Sequence, residues 1–298
     1  MNTWQFDAKE TLAKGFARLM RAAVENAVRE LSRTGEELDA GVHEGRKWIK
    51  KARALLKLCR SAMDKDHYRA CNRKLRDAGR AVSAVRDDAA LCETAARLLA
   101  RDDLFPAARR TLEALRDGIS GDDRDDARKC AALAVRRLKR LRSETNFSLR
   151  IREYGEPEVL LRGVSRSWKE GRKASLAFAG KRDTETAHEW RKRAKDLRYQ
   201  AELLVGIWPG PVTALAQELH RLTDLLGWVH DLSSLAAMTP GRAVSRIIAA
   251  ERAAAVSDAI SLGARMANVK PQTAAGLIVS WYVLADADAN SRKAADHG

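Results

Sequence analysis

The sequence predicts an all-α protein built from two related four-helix bundles. Alanine, leucine and arginine dominate the 298 residues, the six prolines are widely spaced, and no stretch alternates β-branched and polar residues as a strand would. Apolar residues recur instead at helical spacing. A chain of this length with 45% apolar residues can bury one large core or two cores of about 150 residues each.

The helices of the first half follow from apolar periodicity and from turn residues. From Leu12 the apolar positions repeat every three or four residues until Thr34 and Gly35 end the pattern. Pro106 and the DGISGDD segment interrupt the later helices. The further helices of this half are predicted at about 41–62, 67–100, 107–117 and 124–150.

The segment YGEPE, residues 154–158, marks the midpoint and divides the chain into predicted bundles 1–153 and 157–298. Beyond it the motifs WPGP and TPG and the step Lys270-Pro271 separate the helices. The second half is predicted to contain helices at about 158–180, 185–206, 212–236, 242–267 and 271–287.

Two segments of the first half recur in the second half. HEGRKWIKKAR at 43–53 and HEWRKRAKDLR at 188–198 share the pattern H-E-x-R-K-x-x-K-x-x-R at an offset of 145 residues. LRDAGRAVSAVRD at 75–87 aligns with LHRLTDLLGWVHD at 219–231 at an offset of 144, which pairs Asp87 with Asp231. Two related segments at nearly one spacing indicate an internal duplication, and two such bundles are expected to pack with approximate two-fold symmetry.

Each copy of the repeated pattern places basic residues on one side of a helix, over about a third of its circumference. The first basic stripe consists of His43, Arg46, Lys47, Lys50, Arg53 and Lys57, and the second of His188, Arg191, Lys192, Lys195 and Arg198. Apolar residues occupy the opposite side. Like charges at these spacings oppose helix formation by about 0.2–0.5 kcal/mol per pair, so a bound anion is expected to offset them.

Two arrangements of the stripes remain open: they converge on one groove, or they form two separate solvated faces. Duplication of the same residue types at fixed helical spacing favours the groove, which would focus a positive field. Further arginines are predicted to line it, although a solvated role is open for each. These residues are Arg73, Arg76, Arg80, Arg137, Arg140, Arg166 and Arg172.

The stripe histidines do not form a recognisable metal or catalytic motif. In H-E-x-x-H zinc proteases a second histidine follows four residues after the first. In this sequence that place is taken by Lys47 and Lys192. We therefore predict no metal and no cofactor. His43 and His188 are expected to donate hydrogen bonds to anionic oxygens. A general-base or phosphorylated histidine is the alternative, because surrounding cations favour neutral imidazole.

The composition points to a polyanionic partner. The 55 Lys and Arg against 40 Asp and Glu give a formal charge of +15. Single-stranded nucleic acid is usually held by aromatic residues among the basic ones, but only Tyr199 is predicted to lie on a stripe. Duplex DNA needs a wide surface rather than a narrow groove. A thin polymer of phosphates suits the stripes better, with nucleic acid as the alternative.

The repeated pattern, the segment RDAGRAVSAVRD and the run from SWKEGRKA to HEWRKRAKDLRYQAELL resemble the CHAD family, the conserved histidine α-helical domain. The resemblance covers about residues 5–290. It implies two four-helix bundles around a basic central groove that binds inorganic polyphosphate without catalysis. The family's two characteristic histidines fall on His43 and His188, and its groove residues on Arg46, Lys47, Lys50, Arg53, Arg191, Lys192, Lys195 and Arg198.

Family members often carry a fused CYTH triphosphatase domain, whose E-x-E-x-K signature is absent from this sequence. The resemblance therefore implies a stand-alone binding domain that is directed to polyphosphate granules or modulates polyphosphate metabolism. A phosphohydrolase or phosphotransferase acting through His43 or His188 is the alternative. One departure is that His230-Asp231 aligns with Arg86-Asp87, which would make the groove asymmetric in charge.

The cellular location is predicted from cysteine usage and from apolar runs. The four cysteines form no C-x-x-C pair, which is typical of reduced thiols in the cytoplasm. The N-terminal sequence shows no apolar signal region, and the most apolar run, at 274–287, is too short to span a bilayer. The sequence therefore predicts a cytoplasmic protein without a membrane partner.

Overall fold

The computed structural model describes residues 4–7, 10–83, 87–118, 124–151, 155–239 and 241–295. All regular structure in these ranges is helical, which confirms the predicted all-α class. The α-helices are α1 (Leu12–Leu31), α2 (Leu38–Leu58), α3 (Lys65–Ala81), α4 (Asp87–Leu99), α5 (Pro106–Gly118), α6 (Arg124–Glu144), α7 (Gly155–Lys181), α8 (Thr184–Leu204), α9 (Pro209–Met238), α10 (Arg242–Ala267) and α11 (Pro271–Ala295).

Side-chain caps mark the start of α3 and α8, and a proline marks the start of α9, three of the helices that carry the repeated segments. The Asp64 carboxylate accepts hydrogen bonds from the backbone N–H groups of Asp66 and His67 at the start of α3. The Asp183 carboxylate accepts one from Thr186 at the start of α8. Helix α9 begins at Pro209, whose fixed φ suits the first helical position and whose missing N–H would have no partner there.

One predicted helix, at 67–100, is wrong because the structure forms two helices there, α3 and α4. The Arg46 guanidinium donates to the carbonyls of Val82 and Ser83 at 3.0 and 3.1 Å, so these carbonyls are engaged by a side chain at the end of α3. The aligned stretch of the second half runs on as the single helix α9. Arg86 and the side chain of Asp87 lie outside the described part of the chain, so their alignment with His230 and Asp231 is not tested.

The helices α1, α2, α3 and α6 surround the core of the first half, with Phe16, Leu55, Leu75 and Leu138 fully buried. In the second half α7, α8, α9 and α10 enclose another core. Its buried members include Phe178, Trp190, Leu222, Leu226 and Ala259. Helix α11 packs against α7.

The two halves share packing. Val159, Leu160 and Val164 of α7 belong to the same buried cluster as the residues of α1 and α2. The α4–α5 pair, from the first half, packs Leu98 and Leu112 against residues of α9 and α10. The predicted division into bundles 1–153 and 157–298 and their approximate two-fold symmetry remain predictions.

Candidate polyanion-binding surface

Helices α2 and α8, which carry the two basic stripes, pack directly against each other. Lys57 forms an ion pair with Asp196, the Gln200 amide donates to the Ala54 carbonyl at 3.1 Å, and Lys51 Nζ lies 3.4 Å from Glu202 Oε2. Residue numbers rise along α2 as they fall along α8, so the helices cross in antiparallel directions. The stripes are therefore on neighbouring helices.

The first stripe continues onto α3 through a group of arginines around Arg53. Its Nε donates to Asn72 Oδ1 of α3 at 3.1 Å. Burial lowers the pKa of Arg53, Asp196 and Tyr68 oppose this shift, and the positive charges of Arg76 and Arg80 lower the pKa further. The structure thus brings three arginines from two helices into electrostatic contact.

Arg166 of α7 places another guanidinium near these arginines, and one of its nitrogens lacks a hydrogen-bond acceptor among the described residues. Burial and the nearby charge of Arg60 lower the pKa of Arg166. Its Nη1 is buried and has no hydrogen-bond partner among the described residues. Buried N–H donors nearly always have an acceptor, so Nη1 is well placed to donate to an oxygen of a bound ligand.

Arg60 was not predicted as a site residue. It begins the short 3-10 helix Arg60–Ala62 after α2, and its guanidinium carbon lies 4.8 Å from the centre of the Tyr68 ring. The repeated pattern ends before Arg60, and only the turn after α2 directs it towards Tyr68 and Arg166. Arg60 nevertheless follows Lys57 by three residues, so the helical spacing of the first stripe was a signal that could have found it.

The second stripe begins at a pair of histidines. The ring centres of His188 on α8 and His230 on α9 are 5.4 Å apart. Burial, followed by the charges of Lys192, His230 and Arg191, lowers the pKa of His188, while Glu189 opposes the shift. His188 is consequently neutral at pH 7 and can both donate and accept a hydrogen bond.

Arginines of the second stripe reach α9, as those of the first stripe reach α3. The Arg191 guanidinium lies against Gly227, where a Cβ atom would be 2.9 Å from Nη2. Arg198 Nε donates to Glu202 at 2.9 Å, and its Nη1 lies 3.5 Å from the Thr223 hydroxyl.

The other predicted stripe residues have mixed surroundings. His43 Nε2 lies 3.8 Å from Glu44 Oε1, and Lys47 pairs with the same carboxylate at 2.8 Å. Lys192 pairs with Glu189 at 3.6 Å. Lys50 and Lys195 are partly exposed on their stripes.

Two more predicted residues, Arg137 and Arg140, lie exposed on α6 beside α3. Arg137 donates to the Asp77 carbonyl at 2.6 Å, and Arg140 pairs with Glu144 at 2.6 Å. Arg73 is exposed on α3. The structure therefore extends the basic surface from α2 across α3 to α6.

Two predicted site residues do not add to the open basic stripes. Tyr199 is only 3% exposed, and burial raises its pKa to about 12. Tyr199 keeps its predicted place on the helix face of the second stripe, but its ring is buried rather than open to a ligand. Arg172 donates to the carbonyl of Ala267, the last residue of α10, at 2.6 Å, so its guanidinium is directed to that helix end.

The comparison with protein families agrees with this fold. The model of the CHAD domain matches residues 8–239, and the chain belongs to the CHAD domain family. The chain is also similar to a crystal structure of the CHAD domain from the plant Ricinus communis, with 18% identity over 87% of this chain and 93% of that chain and a TM-score of 0.48. No curated protein matches the sequence.

Neither a membrane span nor a metal cluster is found in the described ranges. There, no helix is both long and apolar enough to cross a bilayer. Nor do three or more His, Cys, Asp or Glu side chains come together in a metal-binding group among those residues.

Proposed function

We propose that this CHAD protein binds inorganic polyphosphate, without chemical turnover, where α2 meets α8. We call this region the α2/α8 surface and define it as the two stripes together with Arg60, Arg76, Arg80 and Arg166. The observation that carries the proposal is the direct packing of two helices that bear the same basic pattern.

The electrostatics of the α2/α8 surface favour an anionic ligand. Arg53 and Arg166 are partly withdrawn from water and lie near other arginines, which lowers both pKa values. Repulsion between cations costs more where the surroundings are less polar, and a phosphate chain would relieve it. Guanidinium groups also match phosphate oxygens with two parallel hydrogen bonds.

The aromatic residues near the stripes favour polyphosphate over single-stranded nucleic acid. Tyr199 is buried, the Tyr68 ring is covered by Arg60, and Trp48 lies beneath Lys51, whose Nζ is 4.8 Å from the ring centre. Bases usually stack on exposed aromatic rings between basic residues. Around the described residues of the α2/α8 surface, none of these three Tyr and Trp rings is available in that way.

Polyphosphate titration of a charge-reversed variant tests the proposal. We expect Lys50→Glu with Lys195→Glu to weaken long-chain polyphosphate binding at least about tenfold, because both lysines lie on the stripes. The matched control is Arg242→Glu with Arg246→Glu, which makes the same charge change at exposed positions of α10. Circular dichroism would confirm that both variants remain helical. Equal affinity of the two variants would reject the α2/α8 surface as the site.

Two further measurements separate the alternatives. RNA or DNA of equal total charge should compete poorly with polyphosphate, and strong competition would favour a nucleic-acid-binding protein. Incubation with polyphosphate and a divalent cation should release no phosphate. Release that is lost in His43→Ala or His188→Ala would instead identify a phosphohydrolase or phosphotransferase.

The proposal extends to the cell as association with cytoplasmic polyphosphate granules. A fluorescent fusion of the unaltered protein should colocalise with the granules, and the Lys50→Glu and Lys195→Glu variant should be diffuse. Colocalisation of this variant would show that another part of the protein directs the association.

A further inference from the structure

Helix α3 carries a row of arginines that its counterpart in the second half lacks. Helix α3 begins at Lys65 and α9 at Pro209, which is the offset of 144 residues found in the sequence. The buried positions agree at that offset: Tyr68, Leu75 and Ala78 on α3 correspond to Val212, Leu219 and Leu222 on α9. The two helix faces can therefore be compared position by position.

The exposed positions differ sharply in charge. The row on α3 consists of Arg69, Arg73, Arg76 and Arg80, all exposed. At the same offset α9 has Thr213, Gln217, His220 and Asp224. The four positive charges of α3 thus correspond to one negative charge and one histidine on α9. The two are paired, with His220 Nδ1 2.9 Å from Asp224.

The arginine row is continuous with the α2/α8 surface. Arg76 and Arg80 interact electrostatically with Arg53 of the first stripe. Arg69 and Arg80 are eleven residue steps apart, which is about 16 Å along the helix. Two carboxylates lie beside it, Asp66 at 3.3 Å from Arg69 and Asp77 at 3.2 Å from Arg76, and both pairs are well exposed to solvent.

Helix α6 packs beside α3 and adds further basic residues to the arginine row. Arg137 reaches the Asp77 carbonyl of α3, while Lys74 and Arg140 share the Glu144 carboxylate at 2.8 and 2.6 Å. Arg136 and Lys139 are also exposed on α6. The positive surface of the first half therefore covers three neighbouring helices, α2, α3 and α6.

We infer that a long polyphosphate chain leaves the α2/α8 surface in one direction, over α3 and α6 of the first half. This inference rests on the proposed function. A ligand of a few phosphates would occupy only the α2/α8 surface, whereas a long chain gains further contacts along the arginine row. The protein should therefore prefer long chains to short ones, and the preference should depend on α3.

The test measures binding of long-chain polyphosphate and of tripolyphosphate to Arg69→Gln with Arg73→Gln. These substitutions leave Arg76 and Arg80, which interact electrostatically with Arg53, unchanged. Both substituted positions are exposed, so the fold should be retained. For the long chain we expect about tenfold weaker binding and a salt dependence reduced by about two counterions. Tripolyphosphate binding should not change. The control, Arg242→Gln with Arg246→Gln on α10, removes the same charge and should leave both ligands unaffected.

The outcomes distinguish this inference from the proposed function. Unchanged long-chain binding in the α3 variant, or an equal loss in the α10 control, would overturn the inference that the chain continues over α3. Neither result would contradict binding at the α2/α8 surface. An equal loss for tripolyphosphate would also overturn it, because the row would then belong to the primary site. If the unaltered protein bound neither ligand, both the proposed function and the inference would fall.

Discussion

Lys57 of α2 forms an ion pair with Asp196 of α8, and a second ion pair crosses the same helix contact. That second pair joins Lys51 of α2 to Glu202 of α8 at 3.4 Å. At the offset of 145 residues Lys51 corresponds to Asp196 and Lys57 to Glu202. Two identical helices in this arrangement would place lysine against lysine. Carboxylates in the second copy therefore convert two repulsive contacts into two ion pairs, and the helices that carry the basic stripes can pack closely.

Asp196 should stabilise the fold and weaken polyphosphate binding. Its carboxylate pairs with Lys57 and lies near Arg53, and both cations are partly buried. For Asp196→Asn we expect the free energy of unfolding to fall by about 1–3 kcal/mol, because a partly buried cation loses its partner. Polyphosphate should bind more tightly, because Lys57 and Arg53 are no longer neutralised. Urea unfolding and polyphosphate titration measure the two effects.

The control for this prediction is Asp258→Asn, which removes an exposed carboxylate from α10. It makes the same charge change away from the stripes and should alter neither quantity appreciably. If Asp196→Asn bound polyphosphate no better than Asp258→Asn, Asp196 would not face the ligand.

The helices and the stripes were predictable because both depend on local periodicity. In α2 and α8 the repeated pattern fixes which residues share a helix face, and capping residues such as Asp64 and Asp183 set where helices begin. A repeat with a nearly constant offset also relates the two halves in the sequence alone. These features need no knowledge of how the helices pack.

The failures all depend on contacts between helices. Tyr199 shares its helix face with the second stripe, but tertiary packing buries it. Arg172 has the sequence context of a site residue, yet α10 ends beside it and accepts its hydrogen bond. The break between α3 and α4 is likewise marked by Arg46 from another helix. Periodicity within one helix carries no information about a neighbour.

The affinity for polyphosphate should rise as the pH falls from 7 to 5. Burial and nearby cations lower the pKa of His188, so the imidazole is neutral at pH 7. The groups that face it are Lys192, Arg191, His230 and Glu189. A bound polyanion favours the protonated form, and by linkage protonation strengthens binding. Titrations at several pH values should show a smaller pH dependence for His188→Gln.

His220→Gln is the control for the pH experiment. His220 lies on α9 and pairs with Asp224 rather than with the second stripe. Its removal should leave the pH dependence of binding unchanged. A pH dependence of the same size in His188→Gln and the unaltered protein would assign the effect to other groups.

Arg172 and Arg166 lie on the same helix and should have opposite roles. For Arg172→Gln we expect unchanged polyphosphate affinity and a loss of about 1–3 kcal/mol in the free energy of unfolding, because the Ala267 carbonyl loses its charged donor. For Arg166→Gln we expect weaker polyphosphate binding, because Nη1 is buried without a hydrogen-bond partner in the part of the chain that the structure describes. Parallel titration and urea unfolding of both variants check this. Weaker binding in Arg172→Gln would place that arginine in the site after all.

The close approach of α7 to the end of α2 should depend on Gly163. A Cβ atom at this position would overlap the backbone carbonyl oxygen of Leu58, the last residue of α2. A backbone atom cannot move aside as a flexible side chain can, so α7 must shift. We expect Gly163→Ala to lower the free energy of unfolding by about 1–3 kcal/mol or more. It should also weaken polyphosphate binding, because Arg166 and Arg60 lie on either side of this contact.

Gly276→Ala on α11 is the matched control for that substitution. Beyond the backbone of its own helix turn, no atom of the described residues lies within 4 Å of a Cβ atom built at Gly276, and the residue is exposed inside a helix. Alanine there restricts the unfolded chain and should raise the free energy of unfolding by about 0.4–1 kcal/mol. Urea unfolding midpoints of the two variants should therefore move in opposite directions. A Gly163→Ala variant as stable as the unaltered protein would show that α7 does not pass this close to Leu58.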